Sequence, residues 1–139
     1  MTSSFFALAF TVVLLVTTAY FIMGGLPLLV LQHDTPVDGR FISRFFEVYY
    51  KAALIAAVGG CVSYAWWGRL AFAGGAAVIG MVVVALRRVL IPTMDRLGAR
   101  IQDSDPAAIQ AFRKVHSAAL LVNLVQLVLL VWGLTRLTL

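Results

Sequence analysis

Four long apolar stretches limit what this chain can fold into. They run from about Phe5 to Gln32, Tyr49 to Trp67, Leu70 to Leu90 and Ala118 to Leu137, and none has a charged side chain in its middle third. Each is near or above the ~20 residues that a helix needs to cross a hydrocarbon core. Hydrocarbon offers no water to backbone N–H and C=O groups, so a helix, which satisfies its own, is expected for all four. Composition removes a soluble core as the alternative. Of 139 residues, 62% are hydrophobic and 12% charged, whereas soluble domains carry roughly 25% charged residues. A chain this short cannot enclose so much apolar surface within itself. These proportions point away from a soluble enzyme, a nucleic-acid binder and a disordered chain. The one cysteine, Cys61, leaves no intramolecular disulfide and no cysteine-rich zinc or iron–sulfur site. The first stretch reads as a retained helix rather than a signal peptide. Residues 1–4 lack Lys and Arg, the apolar run is too long, and no small-residue cleavage site follows it.

The connections differ in kind. His33 to Arg40 is rich in turn residues and reads as a loop. Little beyond Gly68 and Arg69 separates the second and third spans, which implies a tight antiparallel pair. Arg87 to Lys114 is the largest polar segment, yet Leu90, Met94, Leu97 and Ile101 recur at helical spacing, as do Ile109, Phe112, His116 and Ala119. Ser104-Asp105-Pro106 has the form of a helix start, a capping residue followed by proline. Helices three and four are therefore expected to leave the membrane as a hairpin over about 88–117, projecting ~15–20 Å at about 1.5 Å per residue. Pro92 is a candidate kink in its outgoing arm. The expected fold is all-α: a polytopic membrane protein forming a single domain over 1–139, a four-transmembrane-helix antiparallel bundle with helices 3 and 4 extended into a cytoplasmic hairpin.

Charge gives this bundle a direction. With four spans, the first and third loops share one side and both termini share the other. The first side and its flanks hold Arg40, Arg44, Lys51, Arg87, Arg88, Arg96, Arg100, Arg113 and Lys114; the second holds Arg69 and Arg136. Nine cations against two is a strong positive-inside bias. The hairpin is expected in the cytoplasm and the termini in the periplasm of a bacterial inner (plasma) membrane. Topology then accounts for most of the net charge of +5. Trp66, Trp67 and Trp132 are expected at the outer interface, and Phe45, Phe46, Tyr49 and Tyr50 at the inner one, as aromatic belts. Small residues four apart (Ala52, Ala56, Gly60; Ala53, Ala57, Cys61; Ala71, Gly75; Ala76, Gly80) predict close helix approach, within the bundle or between copies of it. Gly24, Gly25 and Pro27 mark a bend, a hinge or a close contact in the first helix.

Groups able to do chemistry are few. His33 and His116 are the two histidines, both at the cytoplasmic boundary, with Glu47 at the same level and Asp95 near it. Two imidazoles and a carboxylate suit a transition metal, so His116, His33 and Glu47 form a candidate metal set, although their spacing is not a motif. His116, Asn123 and Gln126 make a polar stripe running into hydrocarbon, where unpaired amides are costly. This stripe either lines a small-molecule or haem site, or pairs with Thr17, Thr18 or Tyr20 of the first helix to pin the bundle. Arg113, with Lys114, Arg87 and Arg88, would face the propionates of a haem held by His116, or simply form the cationic flank. Ser117 adjoins His116, but consecutive helical residues diverge by about 100°, so they do not form a hydrolase pair. The glycine pairs lie within apolar helices, where no phosphate loop forms.

Three segments also carry a resemblance: Arg88 to Leu97, Phe112 to His116, and Asn123 to Leu127. Phe112, His116 four residues later and Asn123 seven beyond that resemble the F-x-x-x-H and Asn pattern of a bacterial four-helix membrane family of unknown function, similar to the transmembrane-protein-205-like family of animals. Glu47 to Tyr50 resembles the start of that family's second helix. Ala119 stands where the family usually has serine. The resemblance implies a four-helix fold and an inner-membrane location. The animal relatives' association with drug resistance hints at transport or trafficking. In size the chain is also similar to four-helix haem-dependent protoporphyrinogen oxidases and copper-resistance domains, but those carry histidines within early helices.

The reading from sequence leans away from an enzyme. It favours an integral membrane protein that binds, transports or scaffolds a small molecule, a lipid or a partner protein, with His116, Asn123, Gln126 and Arg113 as its candidate ligand-binding residues. The alternative is a haem- or metal-dependent redox or metal-handling protein built on His116. Membrane lipids are the expected partners, with a homo-oligomer or a larger membrane complex compatible with the small-residue faces, and no nucleic acid.

Overall fold

The computed structural model describes residues 2–30, 36–101 and 105–137. They form four helices and, among the described residues, no strand: α1 (Thr2–Val30), α2 (Pro36–Trp66), α3 (Leu70–Ile101) and α4 (Pro106–Arg136). All four are long and apolar enough to cross a membrane. Helices of 29 to 32 residues reach roughly 44–48 Å at 1.5 Å per residue, beyond the ~30 Å of a hydrocarbon core.

The ends of these helices follow from local chemistry. Asp105 caps α4: its carboxylate accepts the Ala107 N–H at 3.0 Å, and Pro106 occupies the first turn, where its missing N–H is not needed. Arg100 reaches Asp105 at 2.8 Å and ties the end of α3 to that cap. Helix α2 stops at Gly68, whose φ of +80° is favourable only without a Cβ. The Arg69 N–H bonds back to the Tyr64 carbonyl at 2.9 Å and the Gly68 N–H to that of Ala65 at 3.1 Å, the Schellman pattern that satisfies the last carbonyls of a helix. Helix α3 begins at Leu70.

The start of α2 departs from expectation. Residues 36–40, read from sequence as part of a loop, are helical. Proline is tolerated in a first turn, Asp38 there opposes the helix dipole, and Ile42 and Phe46 just beyond are completely buried. A Cβ on Gly39 would lie 3.6 Å from the Gly98 Cα and 3.9 Å from the Phe112 ring. The first part of α2 thus packs beside the end of α3 and the start of α4, over a core of Ile42, Phe46, Met94, Ile101, Ala108 and Phe112. Helices α1 and α3 stay helical through Pro27 and Pro92.

The helices form a four-helix bundle in which each touches two neighbours: α1 and α2, α2 and α3, α3 and α4, α4 and α1. Glycine notches set the α1–α2 contact. The Phe10 ring of α1 sits over Gly59 of α2, and the Phe45 ring of α2 sits over Gly24 of α1. Gly24 and Gly25 therefore serve close packing. Between α2 and α3, a Cβ on Gly80 would meet that of Ala57 at 3.6 Å, so part of the small-residue pattern is spent inside the bundle.

Three of the four residues expected in an inner aromatic belt face the core instead of the surroundings. Phe46, Tyr49 and Tyr50 are buried and gather around Phe21 of α1. Phe21 stacks on Tyr49 at 4.0 Å and meets Phe46 edge-on at 4.8 Å. Their spacing along α2 puts them on its inward face, where ring packing and hydroxyl pairing outweigh an interfacial position. Trp66 and Trp132, by contrast, are exposed.

The notch at Gly59 is testable. A Cβ there would fall 2.5–2.7 Å from three atoms of the Phe10 ring, whereas one at Gly74 meets nothing within 4 Å. Gly59→Val should destabilise the protein by about 1–3 kcal/mol through overpacking. Gly74→Ala should be neutral or stabilising by up to about 1 kcal/mol. Unfolding of both variants in mixed detergent micelles measures the difference.

Candidate functional site

Two features occupy the interior between the helices: a polar network at mid-length, and beyond it an apolar cavity.

The network draws on α1, α2 and α4. Asn123 is completely buried and Gln126 nearly so, one turn apart on α4. Tyr49 donates its hydroxyl hydrogen to Asn123 Oδ1 at 2.7 Å. The Asn123 amide donates to its own helix at the Ala119 carbonyl, 2.7 Å, and to the Tyr50 hydroxyl at 3.5 Å. The Gln126 amide donates to Thr18 Oγ1 at 3.1 Å and to the Tyr49 hydroxyl at 3.3 Å. Thr18 passes its own hydrogen to the Leu14 carbonyl at 2.7 Å. Both amide groups therefore use both of their hydrogens within the bundle, which is what burial in a medium without water demands. The Thr18 pairing is one of those anticipated from sequence. Tyr49 and Tyr50 were missed as members, because aromatic residues near a span boundary read as a belt. The signal that could have found them is the need of two buried amides for hydroxyl partners on the facing helices.

The other candidates lie apart from this network. His116 is completely buried, its ring edge-on to Phe46 at 5.2 Å, two turns from Asn123 on the same face of α4. Arg113 is exposed on α4. The Glu47 carboxylate is engaged at the surface of α2, with Lys51 at 2.8 Å and Arg44 at 3.3 Å. His33 lies outside the described residues. Among the described residues no group of three or more His, Cys, Asp or Glu side chains is assembled that could hold a metal ion.

The cavity has a volume of about 490 Å³ and is lined from all four helices, within the ~300–1,000 Å³ typical of small-molecule sites. Its inner end abuts the network: Leu14, whose carbonyl receives the Thr18 hydroxyl, and Leu130, one turn beyond Gln126, are both in its wall. The sides are Phe10, Ala56, Gly60, Phe72, Ala76 and Ile79, and Trp132 and Arg136 stand on α4 at the outer end. Thr11 and Tyr64 also contribute, but they are hydrogen-bonded to each other at 2.8 Å, and Thr11 also donates to the Ala7 carbonyl. The wall is in effect apolar. The space exists because small side chains face one another. Gly75 and Gly133, on α3 and α4, both line it, and a Cβ on either would meet nothing within 4 Å. The cavity is open at its side, where Val78 and Leu129 line it and are both more than half exposed, so apolar chains of a surrounding bilayer can reach it.

The network predicts its own energetics. Tyr49→Phe and Asn123→Leu should each destabilise the bundle, and a double-mutant cycle between them should give a coupling of about 0.6–1.7 kcal/mol, the range found for hydrogen bonds between membrane helices. Denaturation of the four proteins in mixed micelles measures it, and additive effects would remove the bond from the account.

No protein-family model, no curated protein and no solved structure matches the chain.

Proposed function

We propose that this chain is a multi-pass protein of the bacterial inner membrane that binds one small apolar molecule within its bundle and carries out no reaction on it. The observation that carries this reading is the cavity of about 490 Å³ shared by four membrane-length helices. Its walls present apolar surface and hold no group poised for acid–base or nucleophilic chemistry among the described residues, and its volume falls in the range of small-molecule sites.

Several features support the finer parts of this proposal. Phe10 pairs with Gly59 and Phe45 with Gly24; Tyr49 reaches Thr18 and Tyr64 reaches Thr11. Rising numbers in α1 meet falling numbers in α2, as in an antiparallel pair. Gly25 against Leu120, with Thr18 against Gln126, supports the same alternation for α1 and α4. The surplus length of α3 and α4 supports a cytoplasmic projection, joined by the first part of α2. The bias of nine cations against two supports termini in the periplasm. The spacing of Phe112, His116 and Asn123 supports kinship with the four-helix family it resembles. Exposed apolar side chains on every helix suit membrane lipids as the surrounding partner.

Gly133→Phe tests the binding reading, because the new ring enters open space in the cavity and replaces a helix-weakening glycine. Native mass spectrometry from mild detergent should find one lipid-sized molecule retained by the wild-type chain and none by Gly133→Phe. Equal retention by both would exclude the cavity as the site. For orientation, alkaline phosphatase fused after Leu139 should be active; a silent fusion would reverse the assigned topology.

A further inference from the structure

The cavity's outer end differs chemically from its body, and this narrows the class of ligand. We propose that it takes a long-chain fatty acid, with the hydrocarbon chain inside the bundle and the carboxylate held by Arg136. The inference rests on the binding reading given above and adds the head group.

Three observations carry it. First, the hydroxyls in the wall bond to each other and to backbone, so the body of the cavity offers no directional partner and suits a plain chain. Second, Arg136 lines the outer end together with Trp132, its guanidinium 5.5 Å from the centre of the Trp132 ring. Stacking on an indole orients a guanidinium while leaving its N–H edge available, and that fork matches a carboxylate in two parallel hydrogen bonds. Third, the charged side chains of the segments that reach this end have one sign. Segments 1–33, 52–86 and 115–139 contain Arg69 and Arg136 and neither Asp nor Glu. An anion arriving there meets no carboxylate side chain from these segments. A single chain with a single anionic head satisfies all three conditions, and a cavity of about 490 Å³ is of the size that houses one small molecule.

The way in is sideways. Val78 of α3 and Leu129 of α4 both line the cavity and are both more than half exposed on the bundle's outer surface. A chain already dissolved in the bilayer would pass between α3 and α4, across Gly75 and Gly133, without leaving hydrocarbon.

The test uses the full chain in nanodiscs of phosphatidylcholine. The probes are palmitic acid carrying a chain diazirine and the corresponding hexadecanol. After irradiation, peptide mapping should find palmitate label on cavity residues such as Ile79, Leu130 and Gly133, displaced by unlabelled palmitate. Arg136→Gln should weaken palmitate labelling by roughly tenfold, the loss of one charge-assisted pair, and leave hexadecanol labelling unchanged. Arg136→Lys should recover part of the difference. Arg136 lies at an exposed helix end, so these variants do not depend on the folding of Gly133→Phe. Equal labelling by acid and alcohol, insensitive to Arg136→Gln, would overturn the carboxylate assignment and leave an apolar site standing. Displacement by phosphatidylglycerol as effective as by palmitate would overturn the single-chain ligand. Absence of cavity label from both probes would remove the binding reading itself.

Discussion

Two amides buried in a medium without water govern this structure. Asn123 and Gln126 cannot be left unpaired in hydrocarbon, and their partners, Thr18, Tyr49 and Tyr50, come from α1 and α2. Satisfying them fixes the height and rotation of three helices together, because a shift of one turn in any of them would separate donors from acceptors. In a bilayer, where lipid tails are as apolar as leucine, burial alone does little to choose one helix register over another. The hydrogen bonds make that choice, and the glycine notches under Phe10 and Phe45 reinforce it above and below.

Helix α3 takes no part in that network. It meets α2 through small residues, Gly80 on Ala57 and Ala76 beside Gly60, and through the Ser43–Asp95 hydrogen bond of 2.7 Å. It meets α4 where Arg100 reaches the Asp105 cap. These polar ties of α3 lie at one end of the bundle. At the other end the short turn at Gly68 joins it to α2, Phe72 stacks on Tyr64 at 5.5 Å and Ala73 packs with Ala7 and Tyr64, while Gly75 and Gly133 leave space between α3 and α4.

Much of this could be read in the sequence, for physical reasons that differ from residue to residue. The four spans, the Gly68 turn and the Asp105–Pro106 cap follow from local rules: span length, the conformation of glycine, the missing N–H of proline. The polar stripe on α4 and its link to Thr18 follow from the cost of a buried amide. Tyr49 and Tyr50 did not follow, because at a span boundary an aromatic side chain suits both an interfacial belt and a core, and the facing helix decides between them. The early start of α2 was obscured by a run of turn-forming residues, Pro36, Asp38 and Gly39, which are equally acceptable in a first helical turn. The cavity was least legible. Small residues at four-residue spacing encode close approach when they face one another across a contact, as Ala57 and Gly80 do. They encode space when the backbones are held apart, as at Gly75 and Gly133.

In the proposed binding, the hydrogen-bonded part of the bundle at Asn123 and Gln126 keeps the helices in register, and the apolar space between α3 and α4 takes the guest. In hydrocarbon, hydrogen bonds between helices have no water to exchange with, yet each contributes only about 0.6–1.7 kcal/mol, while apolar contacts exchange with lipid. On the proposed entry between α3 and α4, a ligand chain replaces the contacts that these helices lose there, and the network, which does not include α3, keeps its hydrogen bonds. The small residues that leave the space also make the parting easy, because glycine and alanine surrender few contacts when helices separate.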